Sequence, residues 1–435
     1  MITLYLAEKP AQARDLAAVL GVKRRDNGFL ELNNGDYVSY AVGHLLELAS
    51  PEEHNPAWGG RWSWEQLPMI PDTWKYQVNS KTKTQFVVVK NLLKKVDRVV
   101  IATDAGREGE LIAREILEYC KFKGRIERLW TSSLVASDLR RALSQLKPGA
   151  ETYPLYEAAI ARQHCDNMYG LSGSRGASLA SKVRGTFPLG RVQTPTLALV
   201  VRRDLEIKNF KEKEYYELEA QVRTRSGKTL KMMHAPDAEN RITTKDEAER
   251  RKKKAEKAQA PLRVQKTNNT EGAPLPYSLP ALQSDANRIF GFTAKNTLKL
   301  AQSLYEKKAT TYPRTDCQFL AESQMLEVDE VLSVVGRRYK PMADELRKIG
   351  IVKRKTTFDD TKLTDHHGII PTSLYVELEG AELQLYQLIC QRYLQALGPD
   401  CKYQSTRVTM DANGVPFKAT GKTITDPGWT VLKLL

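Results

Sequence analysis

A tyrosine followed two residues later by an arginine, in Thr311-Tyr-Pro-Arg-Thr-Asp-Cys317, is the stretch of this chain best suited to chemistry. A phenol has an ordinary pKa of about 10 and is a weak nucleophile near neutrality, so it needs a neighbour that stabilises phenolate or neutralises the group it attacks. Arg314 can serve either way, which points to phosphoryl transfer through Tyr312. The N-terminal half holds acids suited to the same phosphate. In Thr103-Asp-Ala-Gly-Arg-Glu-Gly-Glu-Leu111, Asp104, Glu108 and Glu110 stand close together beside two glycines that let backbone approach a ligand. Their hard oxygens suit Mg²⁺, which takes one or two carboxylates and completes its shell with water and substrate phosphate. The same acids could equally complement a helix dipole from its first turn. Glu8-Lys-Pro10 tips the balance toward chemistry: Glu8 either ligates the metal or protonates a leaving oxygen, and Lys9 offsets phosphate charge.

Acids so far apart in sequence must be brought together by the fold. Residues Ile2 to Ala7 read as a short buried strand, and Pro10 to Leu20 as a helix with proline in its first turn and Ala13, Leu16, Ala17 and Leu20 on one face. The pattern returns with a strand over Arg98 to Thr103 and a helix over Glu108 to Tyr119. Such alternation argues for a parallel α/β sheet, whose ligand crevice lies outside the carboxyl ends of the strands, where Glu8 and Asp104 would both project. Farther on, helices are expected over Leu155 to Tyr169 and Ala177 to Ala180, then a loop from Pro188 to Pro195 leading into a helix to Lys208. Strands are expected over Tyr215 to Val222 and Thr229 to Met233. A helix over Asp246 to Ala260 carries Arg250-Arg-Lys-Lys-Lys254, read as a solvated face rather than a binding patch. Helices over Leu279 to Phe290 and Thr293 to Lys307 deliver the chain to Tyr312. Helices over Ser323 to Leu346 and Gly380 to Leu397, then strands over Ser405 to Met410 and Pro416 to Thr420, complete the reading.

The composition narrows the class. With 435 residues, 41% hydrophobic and 27% charged, the chain reads as a soluble globular protein of several domains. No run approaches the roughly 18 apolar residues needed to cross a bilayer, and the N-terminus lacks a signal-peptide pattern. A cytoplasmic location is expected. Five cysteines without close pairing argue against a zinc ribbon or a disulfide framework. A net charge of +15 points to a polyanionic partner, nucleic acid first.

The motifs, in their order, resemble those of the type IA DNA topoisomerases, and within them the bacterial topoisomerase III group. Ala7-Glu-Lys-Pro10 and Asp104-Ala-Gly-Arg-Glu-Gly-Glu110 resemble the acidic motifs of that family's Toprim domain, with Gly43-His-Leu45 and Arg61-Trp62 between them. Ala161-Arg162, Asp166, Gly170, Ser174-Arg175 and Gly190-Arg-Val-Gln-Thr-Pro195 are similar to its single-strand DNA-binding segment. Pro274-Leu-Pro-Tyr-Ser278, the Tyr312 motif and Asp365-His-His-Gly-Ile-Ile-Pro-Thr372 resemble its nucleophile domain.

The resemblance implies that Tyr312 attacks a phosphodiester of single-stranded DNA to give a 5′-phosphotyrosine, with strand passage and religation that need no ATP. It implies Arg314 and Lys9 on the scissile phosphate, Glu8 as general acid and then base, and His366 on the phosphate or orienting Arg314. Mg²⁺ would be held by Asp104, with Glu108 and Glu8. Trp62, Asn167, Arg175, Lys182, Pro188, Leu189, Gly190, Arg191, Val192, Gln193 and Arg314 would contact DNA, although Trp62 fits core packing nearly as well and Gln193 either reads a base or braces its loop. Partners would be single-stranded, negatively supercoiled or catenated DNA, and a helicase; the chain would act as a monomer, with no membrane. The implied fold class is multidomain α/β plus α: a Toprim domain over 1–150, the first part of a helical DNA-binding domain over 151–208, a β-rich arch over 209–267 and 391–435, and a helical domain carrying Tyr312 over 268–390.

Two departures stand out. Gly106 occupies a position where many members of the family carry a third acid, which should weaken metal affinity, and Glu110 points elsewhere on its helix. The chain also ends within the segment expected to return and complete the domain begun near residue 150, so the toroid would be incomplete and cleavage better preserved than strand passage. A DNA-binding module without cleavage, or another Toprim enzyme such as a primase or nuclease, are the competing readings.

Overall fold

The computed structural model describes residues 1–131, 134, 136–234 and 241–433. The last two residues of the expected arch, and 235–240 within it, lie outside the described residues. The chain forms two compact units. The first comprises Met1–Asp204 with Thr315–Gln324 and Asp359–Gly368; the second comprises Leu205–Arg314, Met325–Phe358 and the chain from Ile369 onward.

The first unit runs β1 (Thr3–Ala7), α1 (Pro10–Leu20), β2 (Val22–Asp26), β3 (Phe29–Leu32), β4 (Tyr37–Tyr40), β5 (Leu46–Leu48), α2 (Pro51–His54), β6 (Tyr76–Val78), α3 (Lys83–Leu93), β7 (Arg98–Ala102), α4 (Arg107–Tyr119), β8 (Arg125–Arg128), α5 (Ala136–Ser144), β9 (Lys147–Pro148) and α6 (Gly149–Ala180), with α7 (Gln193–Lys208) at its end. Seven strands order as β2-β3-β4-β1-β7-β8-β9. The central strands β4, β1, β7 and β8 pair in parallel, and β2, β3 and β9 add antiparallel edges. Every residue of β1 is buried because both sheet faces are covered. Leu4 and Leu6 pack with Val99, Ile101, Phe86, Ile112 and Ile116 on the side of α3 and α4, while Tyr5 and Ala7 pack with Val100, Leu16 and Leu139 on the side of α1 and α5. That alternation is the two-residue period of a strand.

The expected strands and helices around Glu8 and Asp104 are present, and the sheet gains three strands over 22–40, the outermost of which, charged and mostly exposed, gave little hydrophobic signal. The two helices expected between Leu155 and Ala180 are one helix of 32 residues, α6. Glycine in a helix interior costs about 1 kcal/mol against alanine, which is why Gly170, Gly173 and Gly176 suggested a break. Here a Cβ on Gly173 would sit 3.1 Å from the Leu189 side chain, so the small residue admits the following loop against the helix.

In the second unit, β10 (Glu219–Arg223) and β11 (Thr229–His234) precede α8 (Lys245–Ala255) and β12 (Arg263–Glu271). Helices α9 (Leu279–Phe290), α10 (Ala294–Glu306), α11 (Val328–Arg338), α12 (Lys340–Ile349) and α13 (Gly380–Ala396) follow, and β13 (Cys401–Ala412) and β14 (Val415–Asp426) return to the sheet. Its antiparallel order is β10-β11-β14-β13-β12. The last hairpin is twice the expected length, turning at Asn413-Gly414, both at positive φ as a tight hairpin turn requires. The expected strand from Tyr215 begins only at Glu219. Strand β12 was missed because its nine residues carry one aliphatic side chain; it is an exposed edge held by its ladder to β13. Among the described residues no helix is long and apolar enough to cross a membrane.

Candidate active site

The carboxyl ends of β1 and β7, neighbours in parallel register, carry Glu8 and Asp104 to one place. The Asp104 N–H donates to Glu8 Oε2 at 3.2 Å. Lys9 reaches both acids, with Nζ 2.9 Å from Asp104 Oδ2 and 3.4 Å from Glu8 Oε1. His366 places Nε2 3.0 Å from the same Asp104 oxygen. Thus Glu8, Lys9, Asp104 and His366, scattered through the sequence, converge in the first unit.

A residue not anticipated from sequence joins them. Buried Gln12, in the first turn of α1, accepts the Glu8 N–H through Oε1 at 3.1 Å and donates Nε2 to Asp104 Oδ1. An amide and a carboxylate at those distances fix its orientation, because the flipped form would set donor against donor. Its only sequence signal was a polar residue on the first turn of an otherwise apolar helix.

The electrostatics divide the two acids. Burial pushes the Glu8 carboxyl above its ordinary range, and the Asp104 charge adds to the rise. Burial acts on Asp104 in the same direction, but the hydrogen bond and charge of His366, with Lys9, outweigh it and hold Asp104 well below the ordinary range. One acid inclined to keep a proton beside one held ionised suits general acid chemistry by the first. The neighbouring histidine differs: burial lowers His367 to about 4, so it is a neutral structural residue.

The acid loop is braced from beneath. Fully buried Arg128 donates to the carbonyls of Ile101, Thr103, Asp104 and Leu129 and pairs with Glu110 Oε1 at 2.6 Å. Arg114 takes the other Glu110 oxygen at 2.7 Å. Glu110 therefore serves structure, as its helix position suggested. Gly109 packs so closely on the loop that a Cβ there would lie 2.1 Å from the Asp104 carbonyl oxygen.

Glu108, expected to share the metal with Asp104, is drawn elsewhere. Its carboxylate meets His44 Nε2 at 2.8 Å and Arg162 at 2.7 Å, and the His44 hydrogen bond lowers its pKa. Among the described residues no three His, Cys, Asp or Glu side chains converge closely enough to enclose a metal ion. Two carboxylates remain at the strand ends, and Mg²⁺ needs no more when water and phosphate complete its shell. Glu8 and Asp104 thus fit the ion in donor type and number, whereas Glu108 does not join them.

Tyr312 and Arg314 belong to the second unit. The tyrosine ring is half-buried, edge-on to Tyr305 at 5.3 Å, and Arg314 is exposed. Bridges from Thr310 to Pro371 and from Tyr277 to Ile369 hold the segment, and Thr311 exchanges hydrogen bonds of 3.0 Å with Ile370.

The expected DNA-contacting residues separate into two groups. Lys182, Pro188, Arg191, Val192 and Gln193 are exposed, and Leu189 and Gly190 are partly covered, their N–H groups held by Ser174 and Thr194 hydroxyls. Arg191 makes a two-pronged pair with Asp166 at 2.6 and 2.9 Å. Asn167 is half-buried on α6. Arg175, expected on phosphate, is instead buried: it donates to Trp58 O at 2.8 Å and Gln66 Oε1 at 3.1 Å and lies 5.2 Å from the Trp62 ring. A planar guanidinium lying over an indole and hydrogen-bonded to one backbone carbonyl and one side-chain amide oxygen braces the loop, and half-buried Trp62 is packed through it.

A Toprim domain whose sheet ends in this pair of acids, with a motif tyrosine in a separate unit, defines the class. Known proteins agree. The Toprim domain pattern matches residues 3–134 and the DNA topoisomerase pattern matches residues 150–433. The chain belongs to the DNA topoisomerase family, in its type IA branch. It is 39% identical over 439 residues to DNA topoisomerase 3 of Bacillus subtilis (strain 168), and 37% identical over 435 residues to that of Bacillus anthracis. Each alignment covers 98% of this chain and 59% of the relative, so the chain spans about three fifths of the length of the curated relatives it matches. Full-length topoisomerase I from Thermotoga maritima shares the fold, with a TM-score of 0.64 at 22% identity, covering 99% of this chain and 67% of that one.

Proposed function

We propose that this chain cleaves single-stranded DNA by attack of the Tyr312 hydroxyl on a backbone phosphorus, forming a 5′-phosphotyrosine and releasing a 3′-hydroxyl, and that the reverse attack reseals the strand. The observation that carries the reading is the convergence of Glu8, Lys9, Asp104 and His366 at the strand ends of the Toprim sheet. Glu8, inclined to hold a proton, gives it to the departing 3′ oxygen and takes it back on resealing. Lys9 and Arg314 supply positive charge to the phosphate, and His366 acts on Asp104 by orienting its carboxylate. Asp104 with Glu8 would hold Mg²⁺, which supplies further neutralisation of phosphate charge. No ATP is needed because the phosphodiester energy is kept in the tyrosyl ester.

The exposed Lys182 to Gln193 loop, with Asn167 and Trp62, would guide the strand. Passing a second strand through the break would relax negative supercoils or separate catenanes, as a monomer working beside a helicase. The expected four-domain division would describe how the two units subdivide. Incubating the protein and Mg²⁺ with a labelled single-stranded oligonucleotide, followed by denaturing electrophoresis, tests the reading. A covalent adduct is expected from the wild type and none from Tyr312→Phe; retained binding without any adduct would leave a DNA-binding protein.

A further inference from the structure

Of the six tryptophans in the chain, all among the described residues, five are half-buried and Trp64 alone is exposed, at 56%. On a loose loop such an indole would call for no explanation, because single apolar side chains are common on protein surfaces. The loop that carries Trp64 is tightly held. Trp64 opens a short 3-10 turn, Trp64–Gln66, across which the Ser63 N–H donates to Gln66 Oε1 at 3.2 Å. Gln66 Nε2 donates to the carbonyls of Ala57 at 3.0 Å and Gly59 at 3.2 Å, and its Oε1 also accepts from buried Arg175 of α6. The Met69 N–H donates to Ser172 Oγ, one turn earlier on the same helix, at 2.9 Å.

The indole itself rests on α6. A Cβ on Gly176 would lie 3.6 Å from Leu67 Cδ1 and 3.8 Å from Trp64 Cζ3, so one edge of the ring meets the helix while most of it faces solvent. The strand-capture loop sits on the same stretch of helix: Ser174 Oγ accepts the Leu189 N–H at 2.8 Å, and Ser178 Oγ accepts the Phe187 N–H at 2.9 Å. Residues 172–178 of α6 therefore hold two loops. Exposed cations stand on both, Arg61 on the first and Lys182, Arg184 and Arg191 on the second.

We propose that Trp64 is a base-stacking platform for the single strand met by the Lys182 to Gln193 loop. The proposal rests on the single-strand reading above. A fixed aromatic face beside cations takes an unpaired base on the ring and the backbone on the charges, whatever the base, because every base has a π-face. In a duplex those faces are stacked on one another, so the ring favours a single strand. Trp62, packed with Arg175, helps hold the loop, and Trp64 presents the more open ring.

Anisotropy of a labelled single-stranded oligonucleotide of the shortest length that binds, measured without Mg²⁺ so that no strand is cut, tests this. Trp64→Ala should weaken binding about tenfold, the loss of one stacked base, and leave the slope of log affinity against log salt unchanged, because no phosphate contact is removed. Trp64→Phe keeps an aromatic face and should recover most of the affinity, whereas Trp64→Leu should not; this pair decides the matter should the alanine variant unfold. One abasic site moved along the oligonucleotide adds a reading that a merely structural role would not move. At the stacked position it should cost the wild type about as much as Trp64→Ala does, and cost that variant nothing further. Unchanged affinity in Trp64→Ala, equal binding by the Phe and Leu variants, or losses that multiply at every abasic position would overturn the proposal. A wild-type protein that binds no single-stranded oligonucleotide would overturn the capture reading and this one with it.

Discussion

The acid cluster at the ends of β1 and β7 and the loop after α6 are both proposed to meet the same phosphate backbone, yet they are built in opposite ways. In the cluster, Asp104 receives Lys9, Gln12 and His366, Glu8 receives the Asp104 N–H, and Arg128 clamps the strand end from below. In the loop, Lys182, Pro188, Val192 and Gln193 stand in solvent, and Leu189 and Gly190 are held through their backbone N–H and carbonyl groups. Bond breaking loses orders of magnitude for displacements of about 1 Å, so its groups must be held. A strand of varied sequence is better met by exposed charges and adaptable contacts. The difference assigns chemistry to one region and capture to the other.

The sharpest way to break that division is Asp104→Asn. The substitution keeps shape but removes the charge that pairs with Lys9 and His366, and the rate of adduct formation should fall by about 100-fold or more. Oligonucleotide affinity, measured by anisotropy, should stay nearly unchanged. An equal fall in affinity would show that the cluster captures DNA as well as cutting it.

Glu110→Ala should have the next largest effect, on stability rather than chemistry. Removing this carboxylate leaves Arg114 and Arg128 buried without their partner, and breaking a buried pair in this way typically costs about 3–5 kcal/mol. Urea unfolding, followed by a probe in the first unit, should report it. A loss under about 1 kcal/mol would mean that the carbonyls around Arg128 brace the loop without Glu110.

His44 gives a smaller, pH-dependent effect. Burial alone would lower its pKa, but the hydrogen bonds it donates to Glu108 and Glu115 raise it to about 10. A group whose folded pKa exceeds its unfolded value of about 6.5 stabilises fully below that value and loses its contribution as pH rises toward 10. Wild-type stability should therefore decline across that window more steeply than that of His44→Gln. Parallel curves would remove His44 as the residue that keeps Glu108 away from Asp104.

How much of this was legible in the sequence follows from the range of each interaction. Glu8, Lys9 and Asp104 could be placed because strand and helix periods put them at strand ends, a local property. Gln12 and Arg128 act through contacts that no period records, and the partners to which Glu108 turns, His44 and Arg162, lie far away in the chain. Arg175 is hidden from the sequence for a similar reason: a guanidinium in a binding motif reads as a phosphate contact, and only the fold shows the Trp58 carbonyl and the Trp62 ring beside it. The glycines of α6 and the polar edge β12 were misread because close packing in one case and ladder pairing in the other overrode propensity.

The loop supplies the mildest and most discriminating comparison. Arg191 is exposed but already paired with Asp166, so DNA must compete with a carboxylate for its guanidinium. Asp166→Asn should release it and tighten binding of a single-stranded oligonucleotide, while Arg191→Ala should reduce the slope of log affinity against log salt by about 0.7, the contribution of one phosphate contact on a single strand. The double variant should resemble Arg191→Ala alone, because Asp166 matters only through its partner. If Asp166→Asn weakens binding instead, the pair is holding the loop in shape, and the contrast drawn between a fixed chemical site and an adaptable capture surface shifts toward two preorganised regions.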